Sequence, residues 1–260
     1  MKRLILCGHA GRMGRLITKY AGEYGFETVA GIDQRPAAVS FPQFSAPGEC
    51  TVSADLFMDF SSASLLPQTL TFLNARRIPA VIAVTGCSAL QTAAIQETAK
   101  QIPLFYSCNF SFGATLLSLF TETAAALMPD FDIEIIEMHH RAKADAPSGT
   151  ALMLFDAAKR ARKEAFPLFG RSGRAERNRR EIGIHAVRGG TLAGEHSILL
   201  TGNRETFTMT HTAQDAEIFA RGALDAARYV IEKPPGFYTM RSRLEEQLRG
   251  PWKNFDKAFT

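Results

Sequence analysis

A chain of 260 residues with 46% hydrophobic content can bury a sizeable core, and it exceeds the usual single-core size, so two domains or one large α/β domain are expected. A formal charge of +4 and a pI near 8.9 favour small phosphate or carboxylate ligands and fall short of the basic bias of a nucleic-acid binder. Cys7, Cys50, Cys87 and Cys108 are dispersed without a C-x-x-C pair, which argues against zinc or a disulfide framework and for a reducing compartment.

At the start, Leu4-Ile5-Leu6-Cys7 reads as a buried strand. The apolar run ends at Gly8-His9, short of the roughly 7–15 residues of a secretory leader. Nor does any stretch reach the about 18 apolar residues of a membrane span, so a cytoplasmic protein without membrane contact is expected. Behind the strand come Gly8, Gly11 and Gly14, then Met13, Leu16, Ile17 and Tyr20 at helical spacing, then the apolar run Phe26 to Ile32 ending in Asp33. Strand, glycine loop, helix, strand and terminal acid form a dinucleotide-binding unit in outline. Gly8 and Gly11 let the backbone approach a pyrophosphate, Gly14 lets helix and strand pack closely, and the helix start offers N–H groups to phosphate. Asp33 is placed to accept from ribose hydroxyls.

The alternation continues through strands at Leu56–Phe60, Pro79–Val84 and Leu104–Tyr106, with helices marked by Leu66, Leu70 and Leu73 and by Leu90 to Ile102. Such order implies a parallel sheet with its ligand at the strand C-terminal ends, here Gly8 to Gly14, Asp33, Ser61, Thr85-Gly86 and Asn109. After a helix at about 113–128 the pattern changes. Ile133-Glu134-Ile135 alternates, a helix follows Pro147-Ser148, and strands at Ile182–Val187, Glu195–Leu200 and Phe207–His211 suggest a mixed or antiparallel sheet. An alanine-rich helix from about residue 216 is expected to pack back on the first domain. Arg171, Arg174, Arg177, Arg179 and Arg180 form the densest charge run, read first as a solvated mobile loop and second as a loop drawing in an anion.

Within Glu137–Thr150, adjacent His139 and His140 with Lys143 suit proton donation or anion binding, because imidazole titrates nearest neutrality. If the segment stays extended, His139, Arg141 and Lys143 share one face. Ser148 is an expected N-cap, with the amides of Gly149 and Thr150 directed at a carboxylate. His9, His185, His196 and His211 are expected to serve structure rather than proton transfer, and Cys108 is expected to pack.

These blocks resemble, in order, the 4-hydroxy-tetrahydrodipicolinate reductase (dihydrodipicolinate reductase) family: Gly8-x-x-Gly11-Arg12-Met13-Gly14, Asp59-Phe60-Ser61, Asn109-Phe110-Ser111, Glu137-x-His139-His140-x-x-Lys143-x-Asp145-Ala146-Pro147-Ser148-Gly149-Thr150-Ala151, Arg188-Gly189-Gly190 and Gly194-Glu195-His196. The resemblance spans about residues 2–240, and the His-His-x-x-Lys block is its most specific part.

What the resemblance implies is an α/β protein with a Rossmann-like parallel-sheet domain over 1–110, completed by 217–260. A second α+β domain over 111–216 would carry a mixed sheet, bind substrate and form a homotetramer. The implied reaction passes a hydride from NADH or NADPH to a cyclic imine dicarboxylate in lysine and diaminopimelate biosynthesis. His139 would be proton donor, Lys143 its cationic partner, and His140, Gly149 and Thr150 the carboxylate site, with no metal. The cofactor would touch Gly8, Gly11, Arg12, Met13, Asp33, Gln34, Ala83, Val84, Thr85, Ser107, Cys108, Asn109 and Phe110.

The chain departs from the family pattern in three places. Ala83-Val84-Thr85-Gly86 stands for Gly-Thr-Thr-Gly, removing a glycine and a hydroxyl expected beside the nicotinamide. Gln34 stands for a frequent arginine, with Arg35 next to it, so Asp33 disfavours a 2′-phosphate and Arg35 blunts that preference. Ala216 stands for an arginine near the interdomain hinge. Two other readings stay open: another two-domain nicotinamide dehydrogenase acting on amino acids, which leaves the His-His-x-x-Lys block unexplained, and a non-catalytic NAD(H) sensor, which fits Val84 and Ala216.

Overall fold

The computed structural model describes residues 1–252; residues 253–260, the end of the expected 217–260 segment, lie outside the described residues. In chain order the first part is β1 (Lys2–Cys7), α1 (Arg12–Tyr20), β2 (Phe26–Ile32), β3 (Gln43–Phe44), β4 (Leu56–Asp59), α2 (Leu66–Arg76), β5 (Ala80–Ile82), α3 (Ala89–Ala99) and β6 (Pro103–Tyr106). The middle is α4 (Phe112–Leu127), β7 (Asp132–His139), α5 (Gly149–Ala161), β8 (Phe166–Phe169), β9 (Glu181–Arg188), β10 (Gly194–Thr201) and β11 (Thr206–Ala213). The last part is α6 (Glu217–Val230), β12 (Gly236–Tyr238) and α7 (Met240–Trp252).

Two compact units result, one from residues 1–110 with the segment after Glu217, the other from Ser111–Ala216. The first unit holds a seven-stranded sheet in the order β12-β6-β5-β4-β1-β2-β3. Every strand pair in it is parallel. Buried on both faces, such strands read as unbroken apolar runs, as Leu4–Cys7 and Leu56–Met58 do. One face packs on α1 and α6 through Leu4, Leu6, Ile17, Ala220, Ala223 and Leu224. The other packs on α2 and α3 through Ile5, Phe57, Leu66, Leu70, Leu73 and Ile95. The alanine-rich α6 therefore belongs to the first unit's core, because small side chains let it lie close to the sheet.

The second unit carries a five-stranded mixed sheet, β11-β10-β7-β9-β8. β10 runs antiparallel to both β11 and β7, while β9 runs parallel to β7 and β8. Helices α4 and α5 cover one face over Leu117, Leu154, Ile133, Ile135, Ile184 and Ile198. Alternation puts Glu134, Ile136 and Met138 of β7 on the opposite face.

Candidate functional site

At the carboxyl ends of the parallel strands the glycine loop has the expected form. Gly8 adopts φ +80°, and a Cβ there would lie 2.5 Å from the Phe60 carbonyl oxygen. A Cβ on Gly14 would collide with the Gly8 carbonyl oxygen, so β1 and α1 sit at glycine-only separation. Gly11 caps α1 without any side-chain bond to the helix start. The first amides, at Arg12 and Met13, thus remain for an anion to accept from. Asp33 closes β2, and its Oδ1 accepts from the Arg35 amide at 3.0 Å and the Arg35 guanidinium at 3.4 Å. Gln34 beside it is exposed. This cradle, open helix start and terminal acid fit a dinucleotide.

Further along the same edge, the Val84 side chain is fully buried among Ile82, Leu66 and Ile95, so only its backbone is offered to a ligand. The expected loss of a hydroxyl there is then a change in the core beneath the loop. Ala83 is half-buried and Thr85 exposed. Ser107 Oγ donates to the Asn109 carbonyl at 2.5 Å and accepts from the Asn109 amide at 3.1 Å, pinning the turn after β6. Phe110 is a core residue, stacked on Phe105 with ring centroids 6.0 Å apart. Cys108, expected to pack, is exposed instead.

In the second unit the buried face of β7 reads Ile133, Ile135, Glu137, His139, an apolar stripe that ends in two polar groups. Glu137 is fully buried and saturated. It accepts from the Arg188 guanidinium at 2.7 and 2.8 Å, from His139 Nδ1 at 2.6 Å and from the Ser148 amide at 3.0 Å. Burial alone would raise its carboxyl, but Arg188, then His139 and the Ser148 amide, bring it below the ordinary carboxylate value. Because a carboxylate only accepts, Nδ1 of His139 must donate, leaving Nε2 as the nitrogen that exchanges a proton. A Cβ on Gly194 would lie 2.9 Å from that Nε2, so the ring sits where only glycine leaves room for it. Burial lowers the His139 pKa; Glu137 opposes this, and Lys143 and Arg188 add to it.

Ser148 caps α5 as expected, accepting from the Ala151 amide at 3.2 Å, and Gly149 and Thr150 occupy the helix's first turn. The Ser148 hydroxyl also bonds His196 Nε2 at 2.8 Å, and the His196 ring lies edge-on to His139 at 5.1 Å. The extended-segment expectation fails. β7 ends at His139, residues 141–142 turn, and the Lys143 amide bonds the His140 carbonyl at 3.1 Å, so His139, Arg141 and Lys143 do not share a strand face. Lys143 pairs with Asp145 at 2.8 Å, and its charge bears on His139.

The arginine run lies on an exposed, irregular segment, as first expected, and is tied down chiefly at Arg177. Arg177 pairs with Asp132 at 3.0 Å, Glu134 at 2.8 Å and Glu181 at 2.9 Å, Arg171 also meets Glu181, and Arg180 faces Glu164 at 3.7 Å. Among the described residues no group of His, Cys, Asp and Glu is arranged to hold a metal ion, and no helix is long and apolar enough to cross a membrane. Sequence reading took Glu137 and Arg188 only as letters of a motif. The signal for Glu137 was the polar break in the Ile133-Ile135 stripe of β7; Arg188, at the end of β9, lies outside that stripe.

A glycine-loop sheet unit joined to a mixed-sheet unit with a carboxylate-anchored imidazole defines a class: oxidoreductases that use a nicotinamide cofactor. Residues 2–110 match the family described as dihydrodipicolinate reductase, N-terminus, and residues 113–244 the one described as dihydrodipicolinate reductase, C-terminus. The chain belongs to the dihydrodipicolinate reductase family. It is 42% identical over 249 residues to the 4-hydroxy-tetrahydrodipicolinate reductase of Caldanaerobacter subterraneus subsp. tengcongensis, covering 95% of this chain and 99% of that one. With the enzyme of the same name from Staphylococcus epidermidis it shares 41% over 241 residues, covering 92% and 99%. A solved dipicolinate-bound dihydrodipicolinate reductase from Paenisporosarcina sp. TG-14 superposes with a TM-score of 0.78 at 25% identity, covering 92% of this chain and 97% of that one. A myo-inositol dehydrogenase from Corynebacterium glutamicum shares the fold alone, with a TM-score of 0.56 at 16% identity over 91% and 90% of the two chains.

Proposed function

We propose that this chain reduces 4-hydroxy-tetrahydrodipicolinate to tetrahydrodipicolinate with NADH or NADPH in the diaminopimelate and lysine route, with His139 as proton donor. The observation that carries the assignment of roles is the anchored imidazole. Glu137, itself held by Arg188, fixes the His139 ring so that Nε2 lies beside Gly194. Gly8, Gly11, Arg12, Met13 and Asp33 hold the dinucleotide, with Gln34, the backbone of Ala83–Thr85 and the turn Ser107–Phe110 along the same sheet edge. The reduced nicotinamide supplies the hydride.

The chain's own residues do the rest. His140 and the amides of Gly149 and Thr150 receive a substrate carboxylate at the start of α5. In the free protein burial favours the neutral His139 imidazole. A dianionic substrate beside it favours the imidazolium, so the acid is charged when its proton is needed. Nε2 then gives that proton to the reduced ring, and the Glu137 carboxylate holds Nδ1–H in place as the ring charge is lost. Lys143, close to His139, offsets the substrate's negative charge.

Asp33 favours NADH by repelling a 2′-phosphate, and Arg35, folded against it, keeps NADPH usable. A homotetramer is supported by the second unit's sheet face opposite α4 and α5, where half-buried Ile136, Met138 and Leu199 lie beside Val187, which is 46% exposed, apolar surface of a kind that suits a subunit contact. The test is substrate-dependent oxidation of NADH and of NADPH by the purified protein, its mass followed by light scattering. His139→Gln should lower kcat about 10²- to 10⁴-fold with cofactor affinity unchanged. Absence of turnover with both cofactors would sink the assignment.

A further inference from the structure

Two cysteines that the proposed reaction does not use meet at the carboxyl end of the first unit's sheet. β5 and β6 are neighbouring parallel strands in which Ile82 pairs with Tyr106. Cys108 lies two residues past Tyr106, and Cys87 lies five past Ile82, on a loop that Gly86 turns back at φ +72°. The Cys108 sulfur is 3.3 Å from the Tyr106 hydroxyl, and the Cys87 thiol is near enough to add to the rise in that hydroxyl's pKa. Both thiols therefore bear on one hydroxyl. Cys108 is exposed and Cys87 partly so, whereas Cys7 and Cys50 are buried in the core. The Cys87 thiol donates only a long bond, 3.7 Å, to the Val84 carbonyl, and a Cβ on Gly86 would meet nothing within 4 Å. Cys87 packs partly against the core that buries Val84, while Gly86 beside it has open space around it, so the segment is anchored at Val84 and freer at Gly86.

We propose that Cys87 and Cys108 form a peroxide-oxidised, thiol-reducible disulfide that locks the loop after β5 to the turn after β6. In the first step the Cys108 sulfur attacks a peroxide oxygen; the O–O bond breaks, one water leaves, and the sulfur becomes a sulfenic acid. In the second step the Cys87 sulfur attacks the sulfenic sulfur, the S–O bond breaks and a second water leaves. Two thiols lose two hydrogens, and one peroxide becomes two waters. An external dithiol returns both thiols by exchange. Tyr106 shapes the pair: burial first, then the two thiols, raise its own pKa, so its hydroxyl keeps a hydrogen to donate to sulfur. Closing the bond needs the sulfurs to reach about 2.05 Å with Cβ atoms about 3.8 Å apart, a movement assigned to the Gly86 loop. Its effect on turnover rests on the proposed cofactor role of Ser107–Phe110, since the cross-link ties Cys108 to the adjacent loop.

The experiment treats the full-length protein with one equivalent of hydrogen peroxide, blocks remaining thiols with an alkylating reagent, and maps peptides without reduction. The expected result is a Cys87–Cys108 cross-linked peptide, an intact mass lower by two hydrogens before alkylation, and recovery of both thiols in dithiothreitol. Cys87→Ser should instead stop at oxygen adducts on Cys108, and Tyr106→Phe should slow cross-linking several-fold. Separate oxygen adducts on the two cysteines in the native sequence, with no linked peptide, would overturn the proposal. Turnover is measured in parallel on the same samples. A reductant-reversible fall in turnover for the native protein, absent in Cys87→Ser, supports both the disulfide and the cofactor placement. A cross-link with unchanged turnover supports the disulfide and removes Cys108 from the cofactor wall.

Discussion

Glu137 is the residue whose environment says most about the chemistry. A fully buried carboxylate is costly unless every lone pair is used, and here Arg188, His139 and the Ser148 amide use them. Glu137→Gln keeps the shape but replaces one acceptor oxygen with a donor, which no longer specifies the His139 tautomer. We expect kcat to fall about 10²-fold or more, with the cofactor dissociation constant unchanged. The pH profile separates this from general damage. Glu137 pushes the His139 pKa up against burial, so its loss lets that pKa drop further. A reaction that needs protonated His139 then loses activity at lower pH, and the falling limb of the kcat profile should move towards acid. A fall in kcat with an unmoved limb would refute the positioning role.

Helix α6 shows how an element's sequence is set by what it lies against. Glycine in a helix interior costs about 1 kcal/mol relative to alanine, so Gly222 needs a reason. A Cβ at Gly222 would overlap the Phe110 carbonyl oxygen, a backbone atom that cannot swing aside. Gly222→Ala, which would stabilise an isolated helix, should here destabilise by about 2–4 kcal/mol. A lower thermal midpoint checks the sign, and an unchanged or higher one refutes the close approach.

The same dependence on neighbours explains what the sequence concealed. The parallel strands β1, β2, β4, β5 and β6 were legible because burial on both faces writes continuous apolar runs. β3 and β12, of two and three residues, and β8, which contains Pro167, carry no pattern of their own and exist through pairing with β2, β6 and β9. α7 was missed too, since its charged sequence shows little apolar stripe. His139 and Lys143 stood out by residue type. Glu137 and the partners of Arg177 did not, because Arg188 lies 51 residues from Glu137 and Asp132 lies 45 before Arg177, separations that only the fold closes.

Across the whole molecule, burial holds four imidazoles below their ordinary pKa: His9 in the first unit and His139, His196 and His211 in the second. His196 is the extreme, pushed down to about 4 by burial, with the charges of His139, His211 and Lys143 adding to it and Glu137 opposing. In the unfolded chain each titrates near 6.5. Between these values the unfolded state binds protons that the native state refuses, so acidification favours unfolding. The stability tied to these groups is fully present above about pH 6.5 and is lost as pH falls, for His196 until about pH 4. His196 alone accounts for on the order of 3 kcal/mol over that window, with roughly 2 kcal/mol gone by pH 5. The lowered Glu137 carboxyl acts with the same sign at still lower pH. We expect the thermal midpoint to drop by about 4–8 °C or more between pH 7 and 5, a range in which ordinary carboxylates barely titrate. His196→Asn should be less stable at pH 7 yet lose less on acidification, because it has no proton to refuse. A midpoint that stays flat from pH 7 to 5 would mean that these rings protonate in place, and that burial does not control their charge.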